Sequence, residues 1–267
     1  MLPVTRYILM LYTENMYFLY LFIIGLSIGS FLNVLIDRIP NRKSINGRSY
    51  CDHCKKQIRN IDLIPIFSYL ALKGKCRFCH KKISIQYPII ELLTGAVFVL
   101  IFFFTQESEI IIRILNLFLA SFFIVIFFSD LKYQIISDGI LIFTFITSLF
   151  LLIFKNLTFA QISFRLIEGF GVALLILLVY LFSKGRSMGF GDVKLAYVAG
   201  FLLGFQNGMI SLYLAFISGG IIGLYLIFFK KKHLKSKIAF GPFIIFGAAI
   251  IYFVDKVSNF VIPFFQY

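Results

Sequence analysis

The sequence predicts an all-α polytopic membrane protein with about eight transmembrane helices and a small cytoplasmic zinc-binding module. Three observations predict it. Of the 267 residues, 60% are apolar and only 14% charged, and mean hydropathy is +0.93. Soluble domains carry about 25% charged residues. Apolar runs approaching the ~20 residues needed to cross a bilayer recur along the whole chain. Four cysteines, and no others, fall in two C-x2-C pairs between Cys51 and Cys79.

Eight runs are predicted to cross: 17–35, 89–104, 110–129, 139–154, 166–182, 193–205, 209–229 and 240–254. The start of the chain, 1–6, has one basic residue and no small-residue cleavage site after it, so no cleavable signal peptide is expected. Sides follow from charge. With the 38–82 connection in the cytoplasm, alternate connections hold 21 Lys or Arg inside and 5 outside. Positive charge is retained on the cytoplasmic side, so both termini are expected outside. The turn Gln106-Glu107-Ser108-Glu109 then also falls outside. The same rule explains the net charge of +14 without invoking nucleic acid, and no nucleic-acid partner is expected.

Cys51-Asp52-His53-Cys54 and Cys76-Arg77-Phe78-Cys79 are separated by 21 residues. Each pair fits a tight turn that presents two thiolates, and two turns complete a tetrahedron. A reducing cytoplasm keeps such thiols available, and Zn²⁺ is the expected metal in a structural role. His53 and His80 are alternative ligands, though four sulfurs already fill the shell. The apolar stretch 63–72 between the knuckles is suited to packing on the membrane face or on the metal module.

Two aspartates carry the chemistry. Asp130 closes the third run and Asp192 opens the sixth, so the topology puts both at the cytoplasmic ends of their spans. Carboxylates at membrane depth are costly and tend to mark function. Two that converge can activate a water as an acid and base pair. Asp192 is equally suited to capping its helix. The preceding Gly189 and Gly191 remove side chains and permit conformations closed to other residues, so a substrate strand can approach. The sixth run has 13 residues, about 20 Å of helix, too short for a full crossing. Asp138 is expected to be an N-cap or loop organiser, with catalysis the alternative. Glu91 and Glu168 either snorkel or face a polar cavity.

These motifs stand in a fixed order. Gly29-Ser30-Phe31-Leu32-Asn33-Val34 is followed by Arg38 and Pro40, then by the knuckles, with Leu72-Lys73-Gly74-Lys75 before the second. Ile83-Ser84, Tyr87-Pro88 and Glu91-Leu92-Leu93-Thr94 come next. Asp130-Leu131, Asp138, Gly189-Phe190-Gly191-Asp192-Val193-Lys194 and Phe240-Gly241-Pro242-Phe243 complete the set. Over nearly its whole length the chain resembles the prepilin peptidases, GxGD aspartyl proteases that process type IV prepilins and pseudopilins for pilus, secretion or competence systems. Ser137 and Asp52 depart from that pattern, where proline is common.

The resemblance implies a bifunctional enzyme in the bacterial cytoplasmic membrane. Such an enzyme cuts a short basic leader from the cytoplasmic side, then N-methylates the new terminal residue using S-adenosylmethionine. It makes Asp130 and Asp192 the catalytic pair, supported by Gly189, Gly191, Asp138 and Lys194. The organisation expected is a first transmembrane helix (1–36), a cytoplasmic four-cysteine zinc module associated with methylation (37–87) and a membrane-embedded peptidase domain (88–267). Asn33 and Glu91 flank the module and are the methylation candidates. The alternative for Glu91 is a structural partner for a nearby Lys or Arg. A transporter carrying protons on Asp130 and Asp192, or a membrane-anchored zinc-ribbon adaptor, are the competing readings.

Overall fold

The structure is a computed structural model. It describes the backbone of residues 2–105, 108–186, 188–230 and 239–261, and the side chains of 16–105, 108–186, 188–226, 228–229 and 239–254. Gln106, Glu107, the basic run 231–237 and the side chains of Arg6, Lys230 and Lys256, all used in the charge argument, lie outside these residues. The chain forms two compact units, Met1–Phe103 and Phe104–Tyr267.

In the first unit α1 (Leu2–Arg38) leads into the two cysteine knuckles. Between them stand a 3₁₀ turn (Asn60–Leu63) and the five-residue α2 (Phe67–Ala71), and α3 (Gln86–Phe104) follows. Helices α1 and α3 cross closely. A Cβ on Gly25 would lie 2.7 Å from the Gly95 Cα, and one on Gly29 2.8 Å from the Glu91 Cα. Small residues four apart allow such backbone contact between membrane helices. The crossing brings the Ser30–Asn33 face of α1 onto Tyr87 and Glu91 of α3.

The second unit contains α4 (Ile110–Tyr133), α5 (Asp138–Phe154), α6 (Phe159–Phe182), α7 (Phe190–Leu203), α8 (Phe205–Lys230) and α9 (Gly241–Val261). Each of the eight apolar runs thus forms one helix. Five are long and apolar enough to cross a membrane: Met16–Arg38 of α1, α3, α4, α6 and Phe205–Leu226 of α8. Shorter apolar helices are Asp138–Phe154 and Gly241–Val254.

Helix α7 is the shortest of the eight, at 14 residues or about 21 Å. Beyond its first turn it is mostly buried. Val193, Leu195, Ala196, Val198, Ala199, Gly200, Phe201 and Leu202 are enclosed, and α5, α6, α8 and α9 pack around it. A helix enclosed in this way by other helices packs on protein, so lipid thickness does not set its length.

Several ends differ from the hydropathy reading. Helix α7 begins at Phe190, three residues before the expected 193, and stops at Leu203, where Gly204 takes φ 85°. Helix α4 runs past Asp130 to Tyr133 and closes on a left-handed Gln134. Helix α6 starts at Phe159, where the Thr158 hydroxyl and the Gln161 side chain cap it reciprocally. Hydropathy marks apolar sequence, whereas a helix continues until its backbone meets a cap.

Candidate active site and metal centre

Asp130 sits in the last turn of α4 and is buried. Asp192 is the third residue of α7, also buried, and its Oδ2 accepts the Gly189 backbone N–H at 3.0 Å. The helix-capping reading of Asp192 is therefore satisfied by an acceptor bond to the N-cap residue. The two aspartates interact electrostatically. A third element joins them. The Gly241 N–H, at the start of α9, donates to Asp130 Oδ2 at 3.0 Å, and Ile136 lies against both Gly241 and Gly191, the neighbour of Asp192. Sequence reasoning quoted the Phe240-Gly241-Pro242 motif but gave Gly241 no place in the site. A motif names residues and not the amide direction that makes one matter.

The glycines before Asp192 work differently from expectation. Neither Gly189 nor Gly191 has a positive φ, so no glycine-only backbone conformation is used. A Cβ on Gly191 would lie 3.0 Å from the Ile136 Cβ, and one on Gly241 3.1 Å from Ile136 Cδ1. Ile136 fills the room both glycines leave. Asp138 is the first residue of α5 and its N-cap is Ser137, so the N-cap expected at Asp138 lies one residue earlier. The Asp138 carboxylate takes the Lys194 ammonium at 2.6 Å, which ties α5 to the first turn of α7. Glu168 pairs with Arg165 at 3.4 Å.

The four cysteine sulfurs lie within 4.8 Å of one another. Cys51 and Cys79 Sγ are 3.9 Å apart, far beyond the ~2.05 Å of a disulfide. Four thiolates about 2.3 Å from one ion stand about 3.8 Å apart in a tetrahedron, so the cluster fits a zinc-sized ion. Both knuckles share one backbone pattern. Cys51 N–H donates to Lys56 O and Lys55 N–H to Cys51 O, while Cys76 N–H donates to Lys81 O and His80 N–H to Cys76 O. The residue after each second cysteine, Lys55 or His80, is left-handed at φ 57° and 56°. His80 thus closes a turn, and the ligand-type cluster holds the four cysteines alone. Backbone N–H groups of Cys79 and Phe78 bring the Cys76 thiol down to about 7. Cys79 is pushed the opposite way, the Lys81 N–H being outweighed by burial and by its thiol neighbours. Arg77 pairs with Asp62 at 2.6 Å and holds that carboxyl below its usual range. The Arg38 guanidinium donates to the carbonyls of Ser44, Ile45, Asn46 and Arg48, which orders the loop leaving α1.

Glu91 is buried in α3 and has no Lys or Arg ion pair among the described residues, so the alternative reading of it as a cation's partner is not what the structure shows. Its carboxylate accepts the Ile66 N–H at 2.8 Å. Ile66 has φ 62° and ψ −53°, and Phe67 N–H donates to Pro65 O at 2.6 Å. This is a γ-turn of the strained hand, rare for a β-branched residue. Asn33 is buried, and its Nδ2 donates to the carbonyls of Gly29 and Tyr87 at 3.2 Å each. Its Oδ1 is buried with no hydrogen-bond donor on it among the described residues.

Comparison with known proteins places the chain. Residues 23–105 match the bacterial peptidase A24 N-terminal domain, and 117–224 match the type IV leader peptidase family. A prepilin leader peptidase/N-methyltransferase of Legionella pneumophila is 30% identical across 94% of this chain and 96% of its own length. The chain belongs to the type IV leader peptidase family. Two further prepilin leader peptidase/N-methyltransferases are each 30% identical. That of Bacillus subtilis matches over 91% of this chain and 96% of itself, and that of Neisseria gonorrhoeae over 86% and 88%. No solved structure matches the chain. The leader peptidase family match spans α4, α7 and both aspartates, and the N-terminal domain match spans all four cysteines, Asn33 and Glu91.

Proposed function

We propose that this chain cleaves the leader from type IV prepilin-like precursors and methylates the amine that cleavage exposes. The observation that carries the first half is the pair of buried aspartates on α4 and α7, Asp130 held by the Gly241 N–H and Asp192 by the Gly189 N–H. Of the pair, one carboxyl holds a proton and the other is ionised. The ionised one takes a proton from water, whose oxygen forms a bond to the scissile carbonyl carbon. The protonated one gives its proton to the carbonyl oxygen. The tetrahedral product then expels the amine, which takes up a proton as the C–N bond breaks. Lys194 and Asp138 brace the entrance of α7, and Gly189 fixes the Asp192 rotamer. The Gly241 N–H stabilises negative charge on Asp130.

A methyl on Gly241 would lie 2.7 Å from Asp130 Oδ2. Gly241→Ala is therefore expected to displace that carboxylate and cost about 1.5–3 kcal/mol of transition-state stabilisation. That is about a 10- to 100-fold loss of kcat. The fold is expected to stay intact, and the loss should fall on kcat rather than KM. Unchanged turnover in a folded variant would remove Gly241 from the site.

For the second half, S-adenosylmethionine supplies an activated methyl group when bound. The chain offers two buried acceptors, the Glu91 carboxylate and Asn33 Oδ1, to hold the substrate ammonium and take its proton. The four-cysteine module, with one structural Zn²⁺, shapes this region. We place the functional boundaries at 1–36, 37–87 and 88–267, with eight crossings of the bacterial cytoplasmic membrane. Both termini lie outside, and the module and the aspartates lie on the cytoplasmic side.

The test is incubation of the purified chain with a prepilin and S-adenosylmethionine, read by mass spectrometry. Loss of the leader and gain of one methyl are expected. An uncut prepilin refutes the peptidase half. Glu91→Gln keeps an acceptor for the Ile66 N–H but loses the base, so methylation should fall by about 10²-fold or more while cleavage persists. Normal methylation by that variant would remove Glu91 from the reaction.

A further inference from the structure

The stretch from Asn60 to Ala71 is unusually apolar on its outside for a connection between spans. Ile61, Phe67 and Leu70 are 64%, 71% and 66% exposed, and Leu63 and Ile64 are exposed as well. Its one charged residue, Asp62, is drawn off by Arg77. Lys55, Lys56 and Arg59 precede it in the chain, and Lys73 and Lys75 follow, so basic residues flank the apolar stretch on both sides in sequence.

The stretch is fixed in height along α3. The Ile66 N–H bonds Glu91, the sixth residue of that helix, about 7–8 Å along the axis from its start. Ile85, Ile89 and Leu92 are exposed at the same end of α3. The patch therefore continues the outward apolar surface of a helix long enough to span the membrane.

We propose that the 3₁₀ turn and α2 form an interfacial anchor. The segment lies in the headgroup and acyl boundary of the bilayer at the end where α1 finishes and α3 begins. Ile61, Ile64, Phe67 and Leu70 enter the acyl region, and the flanking lysines and Arg59 meet lipid phosphate. Short apolar segments bordered by Lys and Arg bind such interfaces by this division of labour. The strained γ-turn at Ile66 is held from one side by Glu91 and from the other by lipid. The inference rests on the membrane character of the chain and is independent of the chemistry proposed for it.

The sequence has no tryptophan, so Phe67→Trp creates a single emitter. The full-length variant is placed in nanodiscs of phosphatidylcholine and phosphatidylglycerol, with or without brominated acyl chains. Ile89→Trp serves as the lipid-facing reference. Blue-shifted emission that loses most of its intensity to brominated lipid, and is spared by iodide in the buffer, is expected. Quenching by iodide with no effect of bromine would show a water-facing segment and overturn the proposal. Emission reached by neither quencher would show a cover of protein, from this chain or a second copy, and would also overturn it. So would emission that becomes shielded only when prepilin is added. Should Phe67→Trp fail to fold, Leu70→Trp carries the same test at a residue 66% exposed.

Discussion

Asp130→Asn and Asp192→Asn are each expected to abolish leader cleavage, with a loss of at least about 10³-fold and no loss of membrane insertion. Asparagine keeps the shape and one acceptor oxygen. The Gly241 N–H can still donate at position 130, and the Gly189 N–H at position 192. The missing property is the capacity to carry a proton, so the loss should appear in kcat with prepilin binding retained. Each variant is compared with wild type by following the leader on a gel and the protein by its thermal transition. Because the two acids act as one unit, the double variant should be no worse than either single one. Full processing by either single variant would end the assignment. Loss of processing accompanied by an unfolded chain would be settled by the Glu variants, which keep a carboxyl in a lengthened form.

Removing the metal is expected to have the second largest effect, confined to the 37–87 region. Structural zinc sites contribute roughly 10–16 kcal/mol of apparent binding free energy to small modules of this kind. Reduced, freshly purified protein should carry one zinc per chain. Cys76→Ser should lower that content most, since Cys76 is the buried one of the four cysteines. A strong chelator should make the segment between the knuckles rapidly cleavable by added protease, while α4 to α9 resist. Metal analysis that finds no zinc, with disulfides in place of thiols, would reject the module as a zinc site. In the proposed division of labour, methylation falls with the metal and cleavage declines less.

Some of this was plain in the sequence. The cysteine spacing alone implied the tetrahedral cluster, because C-x2-C turns have few conformations that face both sulfurs the same way. The two aspartates stood out because acids are scarce in apolar runs. Other features had no sequence signal. The Gly241 amide joins Asp130 across 111 positions, and nothing in Phe-Gly-Pro says where an N–H points. The alternative reading of Glu91 gave it a cationic partner, whereas it holds the backbone of Ile66, a residue whose side chain gives no warning of a strained turn. Gly191 was read as an opening for substrate, yet Ile136 occupies the space, since packing fills any gap that a neighbour can reach. Helix α6 starts seven residues before its apolar run and α7 three, where Thr158 and Gly189 stand as N-caps beyond the run.

The bond from Gly241 to Asp130 also orders events during synthesis. The ribosome delivers Asp130 first, Asp192 next and Gly241 last, 111 residues after the first. Until α9 is made, Asp130 lacks the amide that holds it, and a nascent chain already threaded into the bilayer has an unfinished centre. On the proposed chemistry, a chain made only as far as α8 is expected to cleave more slowly than the finished one. A fragment truncated before Gly241 is expected to share that deficit.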